Sequence, residues 1–397
     1  MKETLSNRSI FWKIFKYFWG WRILLFLVAF LATVLVVNFG NRFPYSERVL
    51  SVTGLPNWVW GFGNFDGVHY LRIAQNGYTA EYTQAFFPLY PLLIRFLNFL
   101  PKGGLDLNVY TDPSYFYTGM LLSVAFFILA LYFLFKLWSQ EYSQKVANVA
   151  ILLLLSFPTA FYFGAIYSEA LFLLLIVLVF WFTRKDKFLL AGLFAALASA
   201  TKIQGTLLFV FLAIELWSKY YQGGKKLGRE FWLDLLGVVI SPLGLVTYMI
   251  FLQQSVGDPF YFLTSQHAFG AERSNLPLVL LPQVIYRYIK ILLSVKLVSL
   301  AFFNAFLELS FTLVPTVLLI AVFKRMRFSY WLFSLSALLL PTLTGTLSSM
   351  PRYALMTFLL LPFVAKIKNR LFWPASFIFV ILSIILIALF TRGYWVS

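Results

Sequence analysis

Residues 65–78 read FDGVHYLRIAQNGY and crowd Asp66, His69, Tyr70, Arg72, Gln75, Asn76 and Tyr78 into one short stretch. If Asp66 opens a short helix, then Asp66, Tyr70, Ile73 and Gly77 share one side at the i+3/i+4 spacing. A carboxylate held there at a membrane surface could act as a general base toward an acceptor hydroxyl. The same aspartate, next to Gly67, could instead cap the helix N-terminus by accepting a backbone N–H. The local sequence leaves both roles open.

Four later segments add a few polar residues each to largely apolar surroundings. SFPTAFYFGAIYSE ends on Glu169, a lone carboxylate at the head of an apolar run, where it either shapes a site or only complements a helix dipole. ATKIQG sets Lys202 and Gln204 in a tight turn. GDPFYFLTSQHAFG contributes Asp258, Gln266 and His267. SSMPRY starts a run with Arg352, whose guanidinium could hold a phosphate through two parallel hydrogen bonds or could anchor at the interface. One or two carboxylates and two cations around a lipid-facing cavity suit transfer from a lipid-phosphate donor. The base deprotonates the acceptor and the cations stabilise the departing phosphate.

The elements that must carry these residues follow from composition. The sequence is 61% hydrophobic and 12% charged, and the apolar residues come in blocks such as 24–37, 120–135, 235–252, 299–323 and 372–390. Several approach the roughly 20 residues that cross a bilayer core, and continuous rather than alternating runs mean helices. The expected fold is an all-α polytopic membrane protein, one integral domain over 1–397. The spans fall near 21–39, 115–137, 146–163, 167–183, 187–201, 203–218, 231–253, 299–323, 328–346, 352–366 and 371–391, about 11 crossings in all. Basic clusters at 2–16, 184–187, 219–229, 324–327 and 366–370 mark the cytoplasmic side, which sets the N-terminus inside and the C-terminus outside. The first apolar run lacks a small-residue cleavage site and reads as an uncleaved span.

With that orientation the polar motifs gather on the outer face, in a first loop over about 40–114 and a second over about 254–298. Residues 86–100, with Pro88, Pro91 and Arg95, and residues 276–295, with Arg287 and Lys290, read as helices lying in the interface or re-entering the membrane. There is no Cys and only His69 and His267, which excludes thiolate chemistry and argues against a metal centre. The net charge of +17 belongs to the loops rather than to a nucleic-acid surface, since no nucleic-acid motif accompanies it. No nucleotide-phosphate loop or dinucleotide fingerprint is present.

At these residues the sequence resembles the PIG-V family of mannosyltransferases within the GT-C class of polytopic glycosyltransferases. The matching pieces are FDGVHYLRIAQNGY with FFPLYPLLIR, then FPTAFYFGAIYSEALFLLL, ATKIQG, GDPFYFLTSQ and SMPRY, in the family's order. The resemblance implies a GT-C-like bundle that takes a sugar from a polyprenyl-phosphate carrier on the non-cytoplasmic side, inverts the anomeric centre and needs no metal or cofactor. It implies that Asp66, in the first outer loop, is the catalytic base. Phe65 stands where the family often has Trp, and Lys202 where it often has Arg. The compact loops look prokaryotic, implying a plasma-membrane protein with a lipid or glycan acceptor.

The leading expectation is therefore a mannosyltransferase with Asp66 as base and Arg352 and Lys202 on the donor phosphate. His69, Tyr70, Tyr78, Glu169, Gln204, Asp258 and Gln266 would surround the substrates. A transporter or flippase of lipid-linked sugars is the alternative. It would need ionisable residues near mid-membrane, where only Glu215 and Glu308 come into question. A catalytically inert scaffold subunit is a third possibility.

Overall fold

The computed structural model describes residues 6–40, 49–99, 112–270, 273, 278–367 and 369–396. Parts of both expected outer loops (41–48, 100–111, 271–272 and 274–277), the start of the first basic cluster and residue 368 lie outside the described residues. Among those described there is no strand. The principal helices are α1 (Asn7–Leu35), α2 (Asp66–Asn76), α3 (Leu89–Phe96), α4 (Pro113–Glu141), α5 (Gln144–Ser156), α6 (Glu169–Thr183) and α7 (Phe188–Ser199). They continue as α8 (Leu207–Trp217), α9 (Arg229–Ile240), α10 (Leu243–Val256), α11 (Leu281–Ser294), α12 (Leu300–Val322), α13 (Phe328–Leu339) and α14 (Asn369–Thr391).

Several helix starts carry the caps that their sequences supply. The Ser6 hydroxyl accepts from Ser9 N at 3.2 Å, Asp112 from Ser114 N at 2.8 Å with Pro113 following, and Ser299 from Phe302 N at 3.1 Å. Helices α1, α4, α12 and the rod Arg229–Val256 are long and apolar enough to cross a membrane, and shorter apolar helices accompany them. Val34, Leu35, Trp232 and Phe377 are 66%, 79%, 66% and 66% exposed. Such an apolar exterior suits hydrocarbon as solvent. The rod is not continuous: the chain turns at Ser241–Pro242 between α9 and α10. Pro242 has no N–H to give, and the Ser199 hydroxyl bridges the break, donating to Ser241 O at 3.2 Å and accepting from Leu245 N at 3.2 Å.

The chain forms two compact units, each assembled from separated segments. The first comprises Met1–Gly77, Tyr90–Val177 and Val364–Val396. Its core holds Phe127 stacked on Phe163 at 4.6 Å, with Trp138, Phe161 and Tyr162 buried. Arg22, 1% exposed within α1, lies between the rings of Phe26 and Phe62 at 4.3 and 4.6 Å. It donates to Gly164 O at 2.7 Å. An intramembrane guanidinium is costly unless so partnered, and here it pins the turn that leads into α6.

The second unit comprises Tyr78–Leu89 and Leu178–Phe363. Here α7 packs on α9 through Gly192 and Gly237: a Cβ on Gly192 would stand 1.9 Å from Gly237 O, so only glycine permits this approach. Arg184 pairs with Glu215, which also accepts from Ser329, tying α6, α8 and α13 together. Lys219 bonds Asp234 at 2.7 Å and Asp186 at 3.2 Å. The basic residues that the sequence sets at helix ends thus act partly as internal ties.

Candidate functional site

In the first unit, α2 begins at Asp66, as the sequence suggests, but the capping reading fails. Phe65 holds the N-cap position, no side chain caps the helix, and Asp66 is already its first residue. Its carboxylate sits in the first turn, where the positive end of the helix dipole favours the ionised form. Phe65 has φ 58° and ψ −116°, a backbone state that non-glycine residues avoid. Burial holds it there: Phe65 is 4% exposed, with its ring 5.6 Å from Phe390 and 5.0 Å from Trp395. Asn64, fully buried, donates to Phe390 O at 2.9 Å and Thr391 O at 3.3 Å at the end of α14.

Tyr167 completes the turn. Its buried hydroxyl donates to Asn64 O at 2.9 Å and accepts from Asp66 N at 3.2 Å, bridging the strained Phe65 unit from both sides. The helix then sorts its residues differently from the expected grouping. Tyr70 and Ile73, 6% and 4% exposed, belong to the buried face, whereas Asp66, His69 and Arg72 at three-residue spacing form a half-buried stripe. The three are electrostatic neighbours. Burial pushes the His69 imidazole down to about 4, with the Asp66 carboxylate opposing and Arg72 assisting. His69 is therefore neutral at pH 7, able to give or accept one hydrogen bond without competing as a cation for Asp66.

Tyr70 turns its hydroxyl to Ser168 at 3.0 Å and its ring edge to Tyr90 at 5.2 Å. Glu169 opens α6 as expected, 1% exposed. Tyr90, buried and bonded to Ser123 at 2.8 Å, has its hydroxyl pushed up mainly by burial and in part by the nearby Glu169 charge. The structure thus gathers Asp66 with His69 and Arg72, and separately Tyr70 with Ser168, Glu169 and Tyr90.

In the second unit, Tyr78 donates to Phe86 O at 2.7 Å and packs against Tyr248 and Phe251, closing the 78–86 turn. Lys202 is half-buried and extended at the head of the short turn Ile203–Thr206, in which Gln204 is 4% exposed. Asp258 accepts from Phe260 N at 2.8 Å and from the Thr264 hydroxyl at 3.3 Å, organising the turn into Tyr261–Thr264. Gln266 accepts from Arg273 at 2.7 Å. These contacts give Asp258, Gln266 and Tyr78 local structural work.

Arg352 lies in the short helix Met350–Tyr353, 7% exposed, three residues after Ser349 at φ 69°. The turn before it is held from outside. Tyr288 of α11 accepts from Leu347 N at 3.0 Å, shares a 3.2 Å hydrogen bond with Thr346, and donates to Glu308 of α12 at 2.5 Å. Arg287 donates to Gly345 O at 3.1 Å. The Ser349 hydroxyl is buried with no hydrogen-bond partner among the described residues. Tyr167, Asn64, Tyr288 and Ser349 escape the sequence reading. The signals for them were a tyrosine beside Glu169, and a carboxylate inside the apolar run of α12 that must have a polar partner. Among the described residues no three His, Cys, Asp or Glu side chains cluster as metal ligands.

Residues 11–390 match the family described as Mannosyltransferase (PIG-V). The sequence is 31% identical over 135 residues to a GPI mannosyltransferase 2 of Drosophila pseudoobscura pseudoobscura, covering 33% of this chain and 28% of that protein. A GPI mannosyltransferase 2 of Drosophila melanogaster is 28% identical over 114 residues, 28% of this chain and 25% of the relative. The chain thus spans little more than a quarter of the length of the curated relatives it matches. Among solved structures, the Archaeoglobus fulgidus oligosaccharyltransferase tethered with an acceptor peptide gives a TM-score of 0.46 at 13% identity, covering 94% of this chain and 55% of that one.

Proposed function

The chain belongs to the PIG-V mannosyltransferase family, and from that premise we propose that it moves mannose from a polyprenyl-phosphate carrier to a hydroxyl of a lipid-linked or glycan acceptor. The transfer takes place on the non-cytoplasmic face, with the N-terminus inside and inversion at the anomeric carbon. The observation that carries this reading is Asp66. It is the first residue of a helix, half-buried beside neutral His69 and Arg72, behind a turn that Tyr167 braces on both sides.

In this reading Asp66 takes the proton of the acceptor hydroxyl as its oxygen attacks the anomeric carbon. The bond from that carbon to the phosphate oxygen breaks, and the electron pair leaves with the phosphate. Arg352 and Lys202 stabilise the departing dianion. His69 hydrogen-bonds sugar hydroxyls while staying uncharged, and Glu169 and Gln204 shape the substrate surroundings. The transporter alternative has less support. Glu215 is engaged by Arg184 and Ser329 near helix ends, and Glu308 by Tyr288.

The test supplies purified protein with polyprenyl-phosphate mannose and membrane-lipid acceptors and follows sugar transfer. Wild type should transfer and Asp66→Ala should not. Equal turnover by the two would remove Asp66 as base. A reporter fused after residue 75 that signals from the cytoplasm would overturn the sidedness.

A further inference from the structure

The turn that leads into Arg352 is fastened by groups with no assigned role in the transfer. Glu308 is a carboxylate inside the apolar helix α12, 8% exposed. Such a group is expensive to bury and persists only with good partners. One of them is the Tyr288 hydroxyl at 2.5 Å, within the range of a charge-assisted O–H bond. The same hydroxyl accepts from Leu347 N at 3.0 Å and bonds Thr346 at 3.2 Å, while Thr346 Oγ1 accepts from Ser348 N at 3.2 Å. One chain of hydrogen bonds therefore runs from Glu308 through Tyr288 into the backbone at Leu347 and Ser348, five and four residues before Arg352. By committing its proton to Glu308, the Tyr288 oxygen faces Leu347 as an acceptor. The carboxylate thus fixes the polarity of the chain as well as its length.

We propose that Glu308 and Tyr288 are positioning residues that hold the 345–349 turn, and through it Arg352, in the geometry that receives the phosphate of a lipid-phosphate donor. The proposal rests on the reading of Arg352 as a phosphate ligand. It has a distinctive sign. By charge alone, removing an anion near a phosphate site tightens phosphate binding. If Glu308 acts by positioning, its removal weakens binding instead. Glutamine, which keeps an acceptor oxygen for Tyr288, preserves most of the function.

The experiment uses full-length protein in lipid nanodiscs and titrates undecaprenyl phosphate, with hydrogen exchange of the 345–349 amides followed in parallel. Glu308→Ala should weaken binding about tenfold, a change of the size one displaced contact group causes. It should also speed exchange at Leu347. Glu308→Gln should stay within about threefold of wild type. Glu308→Ala added to Arg352→Ala should weaken binding no further than Arg352→Ala alone, because both act through one guanidinium. Binding by Glu308→Ala equal to or tighter than wild type would overturn the positioning role, as would full additivity with Arg352→Ala. Wild type that fails to bind undecaprenyl phosphate would instead strike the phosphate reading of Arg352, and the exchange arm would then decide the tether by itself.

Discussion

The turn before Asp66 and the turn before Arg352 solve the same problem in opposite ways. Each contains a non-glycine residue at positive φ, Phe65 at 58° and Ser349 at 69°, shortly before a charged side chain. Each is braced by one buried tyrosine hydroxyl from a distant element. Tyr167 meets backbone on both sides of the turn, taking Asp66 N–H and giving to Asn64 O. Tyr288 ends on a carboxylate, Glu308. The difference follows from the charge each turn presents. A formal negative charge wired to the Asp66 turn would oppose ionisation of a base, while one wired to the Arg352 turn costs a cation nothing.

The largest break in this comparison comes at Asp66 itself. A general base contributes about 10²–10⁴-fold, so Asp66→Asn should lower single-turnover transfer by that order while leaving donor binding nearly intact. Loss of donor binding with unchanged chemistry would reverse the assignment. The next test crosses the two braces. Tyr167→Phe takes the acceptor from the Asp66 N–H and one of two donors from Asn64 O, which keeps Gly67 N at 3.4 Å, a cost of about 1–3 kcal/mol. Its effect should fall on kcat with donor KM unchanged. Tyr288→Phe should raise donor KM with little change in kcat. If both variants moved the same parameter, the two turns would not serve separate roles.

How much of this was legible in the sequence depends on the range of the interaction. The apolar runs announce helices because hydrocarbon forces every backbone group into local hydrogen bonds. The 276–295 stretch, expected to be helical, contains α11, Leu281–Ser294. The 231–253 run reads as one span, and Arg229–Val256 is long and apolar enough to cross, with a local break at Ser241–Pro242 that Pro242 itself signals. Asp66 opens a helix as expected, because Gly67 and the polar stretch after it are local cues. The strained Phe65 carries no such cue: its conformation depends on Phe390 and Trp395, more than three hundred positions away. Tyr167 bonds across 101 positions and Tyr288 across 59, which no periodicity records. Spacing alone groups Tyr70 with Asp66, whereas in the fold Tyr70 packs against Tyr90 and bonds Ser168.

Strain separates the two turns at a smaller scale. Glycine accepts positive φ without penalty, so Ser349→Gly should raise stability by roughly 0.5–1 kcal/mol, because its hydroxyl has no bond among the described residues to lose. Phe65→Gly relieves strain as well but deletes a ring that is 4% exposed, and a buried aromatic removed costs about 3–5 kcal/mol. Thermal unfolding in detergent should therefore move up for Ser349→Gly and down for Phe65→Gly. A fall in both would mean that Ser349 is held by more than its backbone.

A separate effect is the pH dependence that His69 contributes. Its ordinary value of 6.5 falls to about 4 in the fold, chiefly through burial, with Asp66 pulling it back up and Arg72 pushing it further down. In the unfolded chain the imidazole takes a proton as pH drops through 6.5, whereas the folded chain refuses it until about 4. Between those values the unfolded state binds more protons, so stability falls as pH falls, and the contribution is whole only above 6.5. His69→Asn removes this component. The unfolding midpoint of wild type should therefore drop more steeply than that of His69→Asn between pH 7 and 5. Parallel curves would mean that His69 is hydrated in the fold, and the uncharged neighbour assigned to Asp66 would be lost with it.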